Sequence, residues 1–102
     1  MSTTMVEIDI EAGRQKRYSL SRSARLRPEK FGGLAYTFQD QKLYFVAPAL
    51  MPFLRCQPGE TVGEVAARLE AEAGGKKISQ KSLAIILAKL EDLKEKGVLD
   101  ER

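Results

Sequence analysis

A chain of 102 residues has room for one domain with a single hydrophobic core. Hydrophobic residues make up 43% and charged residues 30%, which is typical of a globular protein, and no apolar run approaches the roughly 20 residues of a membrane span. The N-terminus has neither a basic start nor an apolar stretch suited to export, so we expect a cytoplasmic protein with no membrane partner.

The residue types restrict the chemistry further. Histidine is absent and Cys56 is the only cysteine, which excludes an internal disulfide, the common Cys/His zinc sites and histidine-dependent nucleophilic catalysis. The sequence also shows no paired carboxylate site and no glycine-rich phosphate loop, so we expect no enzyme activity, no cofactor and no metal. We interpret Cys56 as a small buried hydrophobe near a helix end.

The positive charge is unevenly distributed. The formal net charge is only +3, but seven basic residues lie between Arg14 and Lys30, with Glu29 as the only acidic residue among them. Such a segment would suit an anionic partner.

Residues 1–15 are predicted to be a tail or arm that precedes a single domain at residues 16–102. Val6, Ile8 and Ile10 alternate weakly with acidic residues, which is compatible with an edge strand or with an arm that a partner orders. One alternative is therefore a homodimer in which the strand Val6 to Ile10 of one chain covers the sheet edge of another.

Alternating apolar residues predict short strands after this arm. Tyr18 and Leu20 alternate with serines, and Leu26 lies between two arginines before Pro28 interrupts pairing. These strands are predicted to be short or irregular.

The clearest strand follows Gly32-Gly33, which permits a turn or bulge. Apolar residues then recur at every second position, and the polar break at residues 39–41 leads into β-favouring residues 42–46. The sequence predicts a hairpin whose second strand is partly apolar on both faces.

Three helices are predicted after the hairpin. Pro48 suits the first turn of a helix, but Pro52 predicts that this helix is short, kinked or late to begin. Thr61 and Glu64 form a capping box for a second helix, which Gly74-Gly75 ends.

The third predicted helix begins after Ser79 as N-cap and ends at Gly97. Ile85 lies roughly opposite its apolar stripe, so it either contacts a second buried surface or is exposed. The stripe is predicted to face the core and consists of Leu83, Ile86, Leu87, Leu90 and Leu93. Strands followed by helices indicate an α+β fold.

Several short motifs stand at fixed spacing along the chain. They are Leu26-Arg27-Pro28-Glu29, Phe31-Gly32, Leu34-x-Tyr36-x-Phe38, Leu43-x-Phe45 and, after Val46, the helix order and Lys96-Gly97-Val98-Leu99. This pattern resembles that of the mycofactocin biosynthesis peptide chaperones, a branch of the recognition domains typified by the pyrroloquinoline quinone biosynthesis chaperone. The resemblance spans roughly residues 17–99. The sequence departs from the family pattern at Pro52 and at Lys30, where the family more often carries a proline.

The resemblance implies both a fold and a function. The fold would be like a winged helix-turn-helix, with a three-stranded antiparallel sheet followed by three helices. The protein would bind the leader region of a ribosomally made precursor peptide by strand addition and present it to a radical S-adenosylmethionine maturase. The implied peptide site lies on the last sheet strand and the third helix: Lys42, Leu43, Tyr44, Phe45, Val46, Lys81, Ala84, Ile85, Ala88 and Lys89.

The main alternative is a winged-helix DNA-binding protein, because three helices, a hairpin and a basic segment are compatible with that architecture. Against it, the third helix carries Glu91, Asp92 and Glu95, and the hairpin precedes the helices whereas a wing normally follows the recognition helix. We therefore do not expect nucleic acid to be the partner.

Overall fold

The computed structural model describes residues 9–55 and 59–101. It is an α+β arrangement in which most of the β-structure comes before the longer helices. Cys56 lies outside the described residues, so its predicted burial stays a prediction.

The main sheet is antiparallel and three-stranded, with β3 in the centre. Its strands are β2 (Ala24–Glu29), β3 (Gly32–Thr37) and β4 (Lys42–Val46). Thr37 lies opposite Lys42 across the turn at residues 38–41, which confirms the predicted hairpin.

A second, two-stranded sheet joins the two ends of the described chain. Its strands are β1 (Tyr18–Leu20), which the sequence predicted, and β5 (Leu99–Glu101), which it did not. They pair antiparallel with Leu20 opposite Leu99.

Residues 10–14 form a short helix, α1 (Ile10–Arg14), where the sequence predicted part of a strand or arm. The side chain of Asp9 accepts a hydrogen bond from the backbone N–H of Ala12, and α1 packs against the two longest helices. A Cβ on Gly13 would lie only 2.5 Å from Leu87 Cδ1, so glycine permits this close approach. The division into a tail and a domain stays a prediction, because residues 1–8 lie outside the described ranges.

Proline chemistry explains the segment after β4. A 3-10 turn at Pro48–Leu50 leads directly into α2 (Met51–Leu54), which begins late enough for Pro52 to occupy its first turn, where no backbone N–H is required. The expectation of a short, late helix is confirmed.

Both longer helices carry the predicted caps. In α3 (Val62–Glu72), the Thr61 hydroxyl accepts from the Glu64 backbone N–H and the Glu64 carboxylate accepts from the Thr61 backbone N–H. In α4 (Gln80–Glu95), Ser79 caps the N-terminus. Gly97, at a φ of +86°, ends α4, and the backbone N–H of Val98 then donates to the carbonyl of Leu93.

The core is built from the inner face of the main sheet, the two-stranded sheet and the helices α2, α3 and α4. The predicted α4 stripe is buried at four positions, and Ile86 is partly buried against the same cluster. The largest fully buried side chains are Val46, Val65, Leu83, Leu90, Val98 and Leu99.

A polar network connects α4 to the two-stranded sheet. The Tyr18 hydroxyl donates to Glu91, whose carboxylate also accepts from Lys16 at 2.9 Å and from Lys94 at 3.1 Å. The hydrogen bond from Tyr18, followed by that from Lys16, lowers the pKa of Glu91 to about 2. Burial, followed by the hydrogen bond with Glu91, raises the pKa of Tyr18.

This network predicts how stability depends on pH. The Glu91 carboxyl has a folded-state pKa of about 2 against an ordinary value of 4.5, so its contribution is complete above about pH 5 and is lost as the pH falls towards 2. We expect Glu91→Gln to lower the free energy of unfolding at pH 7 and to flatten the decline between pH 5 and pH 2. Urea titrations across that range measure both effects. Glu95→Gln, an exposed change on the same helix, is the control and should keep the wild-type decline.

Candidate functional site

Strand β4 is an edge of the main sheet: among the described residues it pairs with β3 alone. In an antiparallel strand, alternate residues direct their backbone N–H and C=O groups to the two sides, so one set points away from β3. An unpaired edge of this kind is a template for another extended chain.

The opposite edge of the sheet is less suited to pairing. Strand β2 contains Pro28, which has no N–H to donate, and its exposed arginines at positions 25 and 27 are typical of edges protected against strand addition. Of the two edges, β4 is therefore the better suited to pairing with another strand.

The side chains of β4 divide between two environments. Leu43 and Phe45 are 60% and 65% exposed on the outer face of the sheet, whereas Val46 is fully buried and Tyr44 is half-buried on the inner face. The Val46 side chain is therefore closed to a ligand, and its carbonyl oxygen lies against Gly32 of β3. Lys42 is exposed at the start of the strand.

A groove of about 240 Å³ lies between the end of β4 and α4. It brings together three of the residues predicted from the sequence, Phe45, Ile85 and Lys89. Ile85 is 53% exposed, which agrees with its predicted position opposite the core stripe. The remaining lining residues, which the sequence did not predict, are Ala47, Ala49, Leu50 and Ile86.

The other predicted helix residues surround this groove without lining it. Lys81 and Ala88 are exposed on α4, and Ala84 is half-buried. The small residues that make room at the groove are instead Ala47 and Ala49, on either side of Pro48. The alternation of alanine and proline directly after a strand was the available sequence signal for this wall.

Tyr44 contacts the far end of α4. The Lys96 Nζ lies 5.3 Å from the centroid of the Tyr44 ring, within range of a cation–π interaction. Lys96 also forms an ion pair with Asp92 at 2.7 Å, and this contact raises the pKa of Lys96. The Tyr44 side chain thus links β4 to α4, while in the strand register Tyr44 lies opposite Ala35 of β3.

The basic segment from Arg14 to Lys30 does not form one continuous charged surface. Lys16 pairs with Glu91, and Arg17 donates to the carbonyl of Gly59 at 2.9 Å. Arg27 pairs with Glu29 on the main sheet. Several of these cations therefore have intramolecular partners.

Two classes of site were also sought in the described parts of the chain. Residues 9–55 and 59–101 contain no group of three or more acidic or cysteine side chains placed to hold a metal ion. Within the same ranges, no helix combines the length and the apolar composition needed to cross a membrane.

Comparison with known proteins identifies the family. Residues 17–100 match the peptide chaperone MftB family. The chain therefore belongs to this family of peptide chaperones, which serve mycofactocin biosynthesis, and the resemblance seen in the sequence is confirmed. Comparisons with curated proteins and with solved structures found no match.

The exposure of Ile85 can be tested through stability. We expect Ile85→Ser to lower the free energy of unfolding by only about 1 kcal/mol, because about half of the Ile85 side chain is already exposed. Leu90→Ala, on the buried face of the same helix, should cost about 2–5 kcal/mol. Thermal or urea unfolding measures both, and a large loss in Ile85→Ser would show that this side chain is required for the fold.

Proposed function

We propose that this protein is a non-catalytic peptide chaperone that binds the leader region of a ribosomally made precursor peptide as an added strand beside β4. It presents the bound peptide to a radical S-adenosylmethionine maturase in mycofactocin-like biosynthesis. The single observation that carries the binding mode is the open edge of β4 next to an apolar groove. Family membership supports the chaperone role.

Backbone pairing would supply part of the affinity. An added strand could form about five backbone hydrogen bonds, each contributing a net 0.5–1.5 kcal/mol, offset by the cost of ordering a flexible peptide. Affinity in the micromolar range corresponds to about −8 kcal/mol. Backbone bonds of this strength fall short of that value once the ordering cost is subtracted, so side-chain burial must contribute.

The groove offers the contacts that would select a sequence. Alternate side chains of an added strand point to opposite faces, so those directed towards α4 would meet Ile85 and those on the other face would meet Phe45. Lys89 also lines the groove, and Lys81 is exposed earlier on α4. We therefore expect a leader with an apolar anchor next to an acidic residue.

A chaperone role without catalysis agrees with the composition of the chain. Histidine is absent from the sequence, so the usual general base is missing. Glu91, the acidic group with the strongly lowered pKa, is engaged by Tyr18 and Lys16 rather than directed into the groove. A cytoplasmic location and a fold like a rearranged winged helix-turn-helix are parts of the same proposal.

The DNA-binding alternative and the homodimer make different predictions from strand addition. Phosphate contacts would make binding to duplex DNA fall steeply with added salt, whereas strand addition should weaken far less. A homodimer through Val6 to Ile10 stays a prediction, and removing residues 1–8 tests it while leaving α1 intact.

Adjacent proline substitutions test the β4 edge. Leu43→Pro and Tyr44→Pro each remove one backbone N–H. Neighbouring N–H groups of a strand point to opposite sides, so one of the two variants keeps its hydrogen bonds to β3 and loses a donor on the open edge. We expect that variant to remain folded and to bind a labelled leader peptide at least about tenfold more weakly. The reason is that it loses one or more hydrogen bonds to the peptide and the local geometry of the strand. Fluorescence anisotropy measures binding and circular dichroism checks the fold.

Alanine at the same two positions is the matched control, since it keeps the N–H. Leu43→Ala and Tyr44→Ala should retain more affinity than the corresponding proline variant. Wild-type leader affinity in a folded, edge-facing proline variant would contradict strand addition at β4.

A further inference from the structure

The main sheet has a second apolar surface, on the side turned away from the helices. The register places Arg25, Tyr36 and Leu43 in one cross-strand row. Arg27, Leu34 and Phe45 form the next row. We call this surface, together with the adjoining Phe31 and Phe38, the outer face.

The outer face is unusually apolar for the solvent side of a sheet. An antiparallel sheet with one face on a core normally carries polar side chains on its other face. Here Phe31 and Phe38 are 44% and 46% exposed, and Leu43 and Phe45 are more exposed still. Within the described ranges, these four account for all the exposed large hydrophobic residues except Ile85. Apolar clusters of this kind indicate an interaction surface.

The surface is concave and organised in the free protein. A depression of about 490 Å³ is lined by both arginines, Leu34, Tyr36 and Leu43, with Leu26 at its edge. Beside it, the rings of Phe31 and Phe45 stack at 5.0 Å, and those of Tyr36 and Phe38 meet edge to face at 5.3 Å. Paired rings lose little further freedom on binding, so a partner would meet a largely preformed site.

The charge around this depression indicates the chemistry of the partner. Arg25 lies 5.8 Å from the Phe38 ring centroid, and Arg27 is 73% exposed beside its ion-pair partner Glu29. Two arginines against one carboxylate leave the rim positive. A second copy of the same face would bring arginines against arginines, whereas an acidic protein surface would be complementary.

Phe45 connects the outer face to the groove. Phe45 is among the residues that line the groove beside α4, and its ring stacks on Phe31 at the margin of the outer face. An extra strand beside β4 would lie about 4.8 Å away and would place alternate side chains on the outer-face side. A protein docked on the outer face would therefore touch the presented peptide as well.

We propose that the outer face is the docking surface for the folded enzyme that receives the peptide. The enzyme inserts an apolar side chain, flanked by carboxylates, between Arg25 and Leu43. This inference rests on the proposed function, since it assigns a place to the enzyme in that function. Peptide and enzyme would then occupy adjoining surfaces, the β4 edge and the outer face, rather than compete for one.

Two variants away from the β4 edge test this proposal. Arg25→Glu reverses a charge on β2, and Tyr36→Ala removes a ring from the central strand. We expect each to weaken binding of the radical S-adenosylmethionine maturase that modifies the precursor peptide by at least about tenfold, as for a central contact residue. Affinity for the labelled leader peptide should change by less than about twofold, because neither residue lines the groove. Lys77→Glu, an exposed charge reversal before α4, is the matched control and should preserve both affinities.

Biolayer interferometry with the full chain, with and without leader peptide, gives the dissociation constants for the enzyme and for the peptide. Thermal melts confirm that the variants are folded. If Tyr36→Ala unfolds, Arg25→Glu alone decides. Wild-type enzyme affinity in the folded variants would overturn the docking surface while leaving peptide binding at β4 intact. Loss of leader affinity in the folded variants would also overturn the proposal, because it would show that the peptide itself covers the outer face. A concentration-dependent dimer that Arg25→Glu dissociates would overturn it in favour of a second copy.

Discussion

The one-sided pairing of β4 with β3 is the constraint on which the rest of the structure depends. It is fixed at a point of close contact: Gly32, at a φ of +134°, lies so near the end of β4 that a Cβ there would be 2.2 Å from the carbonyl oxygen of Val46. Any other residue would separate the two strands or distort the backbone. Because the Val46 side chain is fully buried at the same point, β4 is anchored at its end, while no strand of residues 9–55 or 59–101 pairs with its other edge.

The position of α4 follows from capping and burial. Ser79 and Gly97 fix its two ends, and its leucine stripe sets its rotation about the helix axis. That rotation turns Ile85 towards the groove. The 3-10 turn at Pro48–Leu50 contacts α4 and completes the wall of the groove between β4 and α4. A rigid frame of this kind lowers the entropy cost of binding, which matters where backbone pairing alone gives modest affinity.

The elements with local signals could be predicted from the sequence. The β3–β4 hairpin, the Thr61–Glu64 capping box and the position of Ile85 opposite the core stripe each follow from periodicity or cap chemistry. Strand β5 could not, because three residues, two of them acidic, give no usable alternation and pairing with β1 is a long-range contact. Helix α1 was missed because weak alternation suggested a strand, whereas packing of Gly13 against Leu87 is visible only in three dimensions.

The candidate site was predictable only in part, because local patterns place some of its residues and three-dimensional packing places the others. Spacing and resemblance placed Phe45, Ile85 and Lys89 in one site, and the structure brings these three together. Burial of the Val46 side chain and the contact of Tyr44 with Lys96 depend on how β4 crosses the core. The outer face required the strand register, since Arg25 and Leu43 are far apart in sequence and share a row only through Tyr36.

The most direct test of strand addition is amide hydrogen exchange by NMR, residue by residue, with and without the leader peptide. The account predicts that alternate amides of Lys42–Val46, those directed away from β3, gain protection on binding while the amides of β2 do not change. Unchanged exchange along β4 at saturating peptide, with protection gained at another surface, would contradict it.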